Sequence, residues 1–519
     1  MKVHLYVTIG LGLLLILLVG AVAHQPTAEA QAACQRYVAG GGSDASDCSD
    51  ASQPCNTVQY AIDQAVDGDR ICVADVDPGP GPTVYHENIV LTRSLILDGK
   101  WQATCAATHL SCTFEPVACD PHRVVLTRPN LGRVVTISGT ITPTIDCFTI
   151  TGGDAAGQGG DPDGNDAGGG IYSRDAAPLL VNNVITANYG CDSCPSAYGR
   201  GGGIYLLNAP ATAIISGNLI AHNVADNSTW GQGGGIMLRD SDAQVVHNVI
   251  RENRAGLSAG YGGGIAVSGG QPIIADNDIL SNVAGQAVQG LGGGIFVWSS
   301  TPARIERNLV QLNKALIGAG DPDLISYGGG ICYTGQPTVT AIIRDNTLRE
   351  NYASILSPEG YGGGLFLGHV VSPSLVSGNL LEGNVGGHND DGHGGGIYVD
   401  GSQVTIAGNQ FLDNSATWAG SHGAGGGLYV NGGVVQVQDN TIVRNYGAGF
   451  PGPPSSASGY GGGIAISNSL TIVQGNRIVA NHATNAGNGG MGGGIYAFQG
   501  SLHVLDNTIA KNEGTPAAW

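Results

Sequence analysis

The sequence predicts an all-β solenoid, a stack of coils built from short strands. Two observations carry that prediction. First, Gly-Gly-Gly begins at 168, 201, 233, 262, 292, 328, 362, 394, 425, 461 and 492, eleven copies at intervals of 29 to 36 residues, each followed by Ile or Leu from Ile171 to Ile495. Second, an Asn pair spaced five apart follows every triplet by 15 to 18 residues, from Asn183/Asn188 to Asn507/Asn512, with an apolar residue two after each first Asn. Self-similarity at such a period is the signature of a repeat architecture.

Composition narrows the class further. Glycine makes up 87 of 519 residues, about 17% against a usual figure of about 7%. So much glycine is costly inside helices, which argues against a helical enzyme. There is no three-residue period, so the chain is not a collagen. Hydrophobic residues at 42% supply a core, and only 12% of residues are charged. The net charge is −19. No basic stripe is visible, which excludes nucleic acid as a partner.

The elements follow in chain order. Residues 1–23 read as a secretion signal: Lys2, an apolar run from Leu5 to Ala23, and small-residue cleavage sites at Ala21-Val22-Ala23 and Ala28-Glu29-Ala30. The run is also long enough for an uncleaved anchor. No later stretch is expected to meet a membrane. Residues 24–153 form an N-terminal cap with the first irregular coils. They hold Cys34, Cys48, Cys55, Cys72, Cys105, Cys112, Cys119 and Cys147, which read as disulfides in an exported chain. Val58, Ala61, Ile62, Ala65 and Val66 share one helical face. Tyr85–Leu91, Ser94–Gly99, Val134–Ile137 and Ile145–Gly153 read as early strands.

Residues 154–519 carry the regular array. Each unit holds three short apolar stretches, in the second copy Ile204–Leu207, Ala213–Ser216 and Leu219–Ala221. One such unit cannot bury its apolar face, but a stack of them can. Stacked Asn side chains can then bond to one another along the axis. The spacing from the second Asn to the next triplet varies from 9 to 16 positions, so these segments read as loops leaving one side. Cys191 and Cys194 read as a local disulfide in one of them, and Cys332 as a buried hydrophobe.

This pattern resembles the right-handed parallel β-helix of the pectin-lyase-like superfamily. The repeats are similar to the Gly-Gly-x-Ile and x-x-x-Asn repeats of polymorphic outer-membrane and adhesin-type surface proteins. The segments Tyr37–Gly42, Pro54–Ile62 and Asp67–Ile71 resemble the opening of secreted bacterial β-helix proteins, and that resemblance implies a short helix capping the first coil. About 14 coils are expected.

Candidate chemistry lies on the outer side of the array. The residue after each Ile or Leu faces outward by strand alternation. Seven of these eleven are aromatic: Tyr172, Tyr205, Phe296, Phe366, Tyr398, Tyr429 and Tyr496. Two readings stay open. Either the stripe stacks sugar rings, or the projecting loops fold over it and bury it. Arg174, Asp175, Asn208, Arg239 and Asp240 recur in register on neighbouring coils, and they are the catalytic candidates if the chain is an enzyme. The resemblance implies, for a polysaccharide lyase, carboxylates holding Ca²⁺ with an Arg or Lys as base. Turn formation is the structural alternative for the Asp and Asn. Asp161, Asp163, Asn165 and Asp166 place oxygen ligands at near-alternate positions, as Ca²⁺ prefers, or form a solvated acidic turn. His388, Asp390, Asp391 and His393 form a further cluster with metal-binding groups.

Three functions are compatible with these features. The unbroken consensus favours a non-catalytic secreted or cell-surface protein that binds an extracellular polysaccharide or cell-surface glycan and requires no cofactor, because active sites usually break a repeat. A pectate-lyase-like polysaccharide lyase or a glycoside hydrolase is the first alternative. A structural element that self-associates end to end is the second, since an uncapped last coil exposes strand edges.

Overall fold

The computed structural model describes residues 33–514, apart from 78–80, 107–110, 129–131, 195–197, 320–324, 336–338, 357–358, 372, 390, 450–456 and 485–488. The apolar segment Leu5–Ala23 lies outside the described residues. From Cys34 onward the chain is a parallel β-solenoid with one short helix. One ladder contributes a single strand to every coil. It runs through fourteen strands, from Thr83–His86 to Thr508–Ala510.

The helix, Val58–Gln64, begins where the Thr57 side chain accepts a hydrogen bond from the Tyr60 amide. It buries Val58, Ala61 and Ile62. Val66, expected on the same face, lies beyond the helix end and is exposed. Disulfides link Cys34–Cys72, Cys48–Cys55, Cys105–Cys112, Cys119–Cys147 and Cys191–Cys194, while Cys332 is free and buried.

Each regular coil holds more strands than the sequence pattern suggests. In the second coil they are Ile204–Leu207, Ile214–Ser216, Leu219–Ala221, Val224–Asp226 and Trp230–Gln232. The first three enclose the core. Its stacked Ile column, Ile204, Ile236, Ile265 and Ile295, is fully buried. The other two correct the expectation of loops. The chain runs out along Val224–Asp226 and returns along Trp230–Gln232, and each strand pairs in parallel with its counterparts on neighbouring coils. They form a two-layer rib alongside the triplet strands. Packed sheets usually lie about 10 Å apart. Here backbone meets backbone: a Cβ on Gly231 would lie 2.0 Å from the Ala255 carbonyl oxygen, and one on Gly459 would lie 1.5 Å from that of Ala483.

Asparagine closes the turns. Each Asn of both columns bonds its neighbour, as Asn223 Nδ2 does to Asn253 Oδ1 at 3.0 Å and Asn248 Nδ2 to Asn277 Oδ1 at 3.0 Å. The same oxygen also accepts the preceding Asn backbone amide, and the amide nitrogen donates to a core-strand carbonyl, Asn223 Nδ2 to Ile185 O at 2.8 Å. All the polar valences of a buried amide are thereby used.

Candidate functional site

The rib decides the fate of the aromatic stripe. In ten of the eleven copies the residue before the triplet ends the returning strand, and Tyr261, Leu291, Tyr327 and Tyr361 among them pack onto the stripe. Tyr261 meets Phe296 at 5.0 Å between ring centroids, Tyr327 meets Phe366 at 4.5 Å, and Tyr361 stacks on Tyr398 at 4.8 Å. Tyr172, Tyr205, Phe296, Phe366 and Tyr398 are therefore buried in a second apolar core. Of the two readings of the stripe, burial holds for these five, which offer no open faces to sugars. They do point away from the first core, but a strand that the pattern does not reveal covers them. Tyr429 and Tyr496 remain partly exposed. Burial pushes the Tyr327 phenol up to about 12 and raises those of Tyr205, Tyr261 and Tyr361 as well, so these hydroxyls stay neutral.

The acidic loop is turned to the protein's own donors. Asp161 Oδ1 accepts from Arg200 at 2.7 Å and from the Tyr205 hydroxyl at 2.7 Å, and Oδ2 accepts from the Asp163 amide at 2.9 Å and from Asn165 Nδ2 at 3.3 Å. Asp166 accepts from the Gly157 and Gly159 amides at 2.9 and 2.6 Å. The Tyr198 amide donates to Asn165 Oδ1 at 3.1 Å. Asp161 and Asp163 thus share the Arg200 guanidinium, Asn165 bonds Asp161, and Asp166 turns to the Gly157 and Gly159 amides.

The register of the Arg–Asp patch splits it in two. Arg174 pairs with Asp175 at 3.2 Å, and Asn208 donates to Asp175 at 2.8 Å, all on an exposed turn. Asp175, Asn208 and Asp240 have φ of 57°, 55° and 49°, the left-handed geometry of turn residues. Arg239 and Asp240 instead join the acidic loop. Arg239 lies 3.4 Å from Asp240, 3.5 Å from Asp163 and 3.2 Å from Ser268 Oγ, and Arg200 lies 3.1 Å from Asp163.

These groups line an open cleft of about 470 Å³ with Trp230, Tyr261, Phe296 and Trp298. An adjoining hollow of about 410 Å³ shares Arg239, Ser268 and Trp298 and adds Asp240. Trp298 is 48% exposed. Trp230, half-buried, meets Tyr198 at 5.3 Å and Tyr261 at 4.7 Å, edge to face. Sequence reading anticipated Asp163, Arg239, Asp240 and Phe296 but missed Trp230, Trp298, Arg200 and Ser268. Trp298 could have been found, because it alternates with Phe296 on one outward strand face. Arg200 and Trp230 could not, because they sit on the unrecognised rib.

The His–Asp cluster disperses. His388 stacks on Trp418 at 5.8 Å, His393 lies between Tyr361 and Tyr429 at 4.9 and 5.2 Å, and Asp391 pairs with His422 at 3.2 Å. Asp390 lies outside the described residues. Among the described residues, Asp166, Cys191 and Cys194 alone bring metal-ligand atoms close together, and the two sulfurs there are joined to each other.

A family model described as right-handed β-helix region matches residues 143–310 and 318–451. Among solved structures, the A-module of mannuronan C-5 epimerase AlgE4 from Azotobacter vinelandii is similar at 15% identity, over 72% of this chain and 87% of that one, with a TM-score of 0.29. No curated protein matches the sequence.

Proposed function

The chain belongs to the right-handed β-helix family, and from that premise we propose that it is a secreted or cell-surface, adhesin-like and non-catalytic protein that binds a neutral polysaccharide. The carrying observation is the cleft between Trp230 and Trp298, whose indole rings stand beside paired charges. Indole faces suit the apolar C–H faces of sugars, and Arg239, Asp163 and Ser268 can bond hydroxyls from the same wall.

Charge selects the ligand class. Arg200 and Arg239 face Asp161, Asp163 and Asp240, two cations against three anions. Both guanidiniums are already engaged, so a polyuronate finds no free cation there. The net charge of −19 adds long-range repulsion. Lyase chemistry would need an unpaired cation against the sugar carboxylate. The reading calls for no cofactor, because Arg200 brings to Asp161 and Asp163 the positive charge that Ca²⁺ would bring. Five disulfides fit an oxidising compartment.

Trp298→Ala is expected to weaken binding of neutral oligosaccharides roughly tenfold, the loss of about 1.4 kcal/mol of ring burial. Trp418→Ala, remote from the cleft, is expected to leave affinity unchanged. Calorimetric titration checks both. Tighter binding of a polyuronate, or release of unsaturated uronate from one, would sink the reading.

A further inference from the structure

Two coils of the array carry almost the same eight residues. Tyr261–Ser268 reads Tyr-Gly-Gly-Gly-Ile-Ala-Val-Ser, and Tyr460–Ser467 reads Tyr-Gly-Gly-Gly-Ile-Ala-Ile-Ser. Each is followed by a coil with rings at alternate outward positions, Phe296 and Trp298 in one case and Tyr496 and Phe498 in the other. The structure stacks them in matching register. Ala266 pairs with Phe296 and Ser268 with Trp298, while Ala465 pairs with Tyr496 and Ser467 with Phe498.

Clefts open at both places. Where most coils put a ring, Met or Cys on the stripe, these two put a methyl group. At the first place the cleft is the one lined by Ser268 and Trp298, with Ala266 buried. At the second it is a cleft of about 240 Å³ lined by Tyr460, Ala465, Ser467, Tyr496 and Phe498. Trp298 is 48% exposed in the middle of the array, and Phe498 stands at the matching outward position of its own coil. The second cleft has Tyr429 and His393 on its wall, in place of the charged wall of the first.

We infer that the second cleft is a second glycan site built on the plan of the first, and that the protein is bivalent for one neutral polysaccharide chain lying along the solenoid axis. This rests on the proposed function of the first cleft. The two Ala-Ser coils are six coils apart, so the sites are ~29 Å apart at about 4.8 Å per coil. On a rigid parallel stack that span is fixed. A polymer held at one site then presents itself to the other at high effective concentration.

The test uses neutral tetrasaccharides (cello-, xylo-, manno- and malto-) and their parent polymers, titrated against the wild-type chain, Trp298→Ala, Phe498→Ala and the double variant. Both rings are exposed, and circular dichroism verifies that each variant folds. The expected result is two tetrasaccharides per wild-type chain, one for either single variant and none for the double. The matching polymer is expected to bind the wild type on the order of 10²-fold more tightly than either single variant. A stoichiometry of one, lost in Trp298→Ala and unchanged in Phe498→Ala, overturns the duplication while the reading of the first cleft stands. Failure of every tetrasaccharide to bind overturns both.

Discussion

Replacing Asn313 by alanine is expected to lower folding stability by about 3–5 kcal/mol, whereas the same change at Asn512 should cost about 1 kcal/mol. Asn313 is fully buried in the middle of its column. Its Oδ1 accepts the Asn282 backbone amide at 2.9 Å and Asn282 Nδ2 at 3.0 Å, and its Nδ2 donates to Ile279 O at 2.8 Å and Asn351 Oδ1 at 3.1 Å. Alanine removes all four bonds and leaves the Asn282 amide buried without an acceptor. The orphaned buried donor costs about 1–3 kcal/mol, and the three other lost bonds together add about 2 kcal/mol. Asn512 makes the corresponding bonds to Asn481 and Ile478, but it is only partly buried, so water can replace them.

A carboxylate in the same place sharpens the test. Asn313→Asp keeps the acceptor but loses the donor, and sets a charge against Asn351 Oδ1 and Ile279 O. Burial and facing acceptors raise the folded pKa of that carboxyl above its unfolded value of about 3.9. The stability restored by protonation is then present below that unfolded value and is lost as pH rises through the folded one. The Asn313→Asp chain should therefore gain on wild type in acid and fall behind at neutral pH. Urea unfolding followed by circular dichroism reads all three variants. Equal losses for Asn313→Ala and Asn512→Ala would refute the ladder account.

That column is the part of the fold most legible from sequence. A buried amide tolerates no substitute at its position, so Asn recurs without exception and its spacing marks every turn. The triplet and its Ile are legible for a similar reason, since both touch the next coil. The rib is not legible, because its strands are held by backbone contact. A strand such as Val224-Ala225-Asp226 followed by Trp230-Gly231-Gln232 shows neither alternation nor an apolar run, and variable turns on either side make it read as loop. The error then propagates. Without the rib the aromatic stripe stays undecided between an open sugar platform and burial under loops, and Arg200 and Trp230 have no place in a site. The cleft itself was partly written in the sequence, in Phe296 and Trp298 at alternate outward positions, whose meaning depends on knowing which neighbours are covered.

Adding one methyl group to the rib is expected to damage both fold and binding. A Cβ on Gly290 would lie 1.6 Å from Ala315 O and 2.2 Å from Ala315 C. Both are backbone atoms, so no side chain can turn aside and the two layers must part. Overpacking of this kind costs about 3 kcal/mol. Among the described coils, nine place glycine at this register, from Gly199 to Gly490. Asp166 and Ser326 stand there in the other two, so the rib can widen locally and Gly290→Ala should fold with reduced stability. Gly408→Ala is the control. Its φ of +64° is left-handed, but nothing lies within 4 Å, and His247, Asp276 and Arg307 hold the same left-handed turn on other coils. It should cost only about 1–2 kcal/mol. The functional consequence separates the two variants further. Leu291, next to Gly290, lines the first cleft and packs on the stripe beneath it. Parting the layers displaces that wall, so Gly290→Ala should weaken neutral-glycan binding while Gly408→Ala leaves it unchanged. Equal stability losses for the two, with affinity intact in both, would mean that the rib is looser than its backbone contacts require.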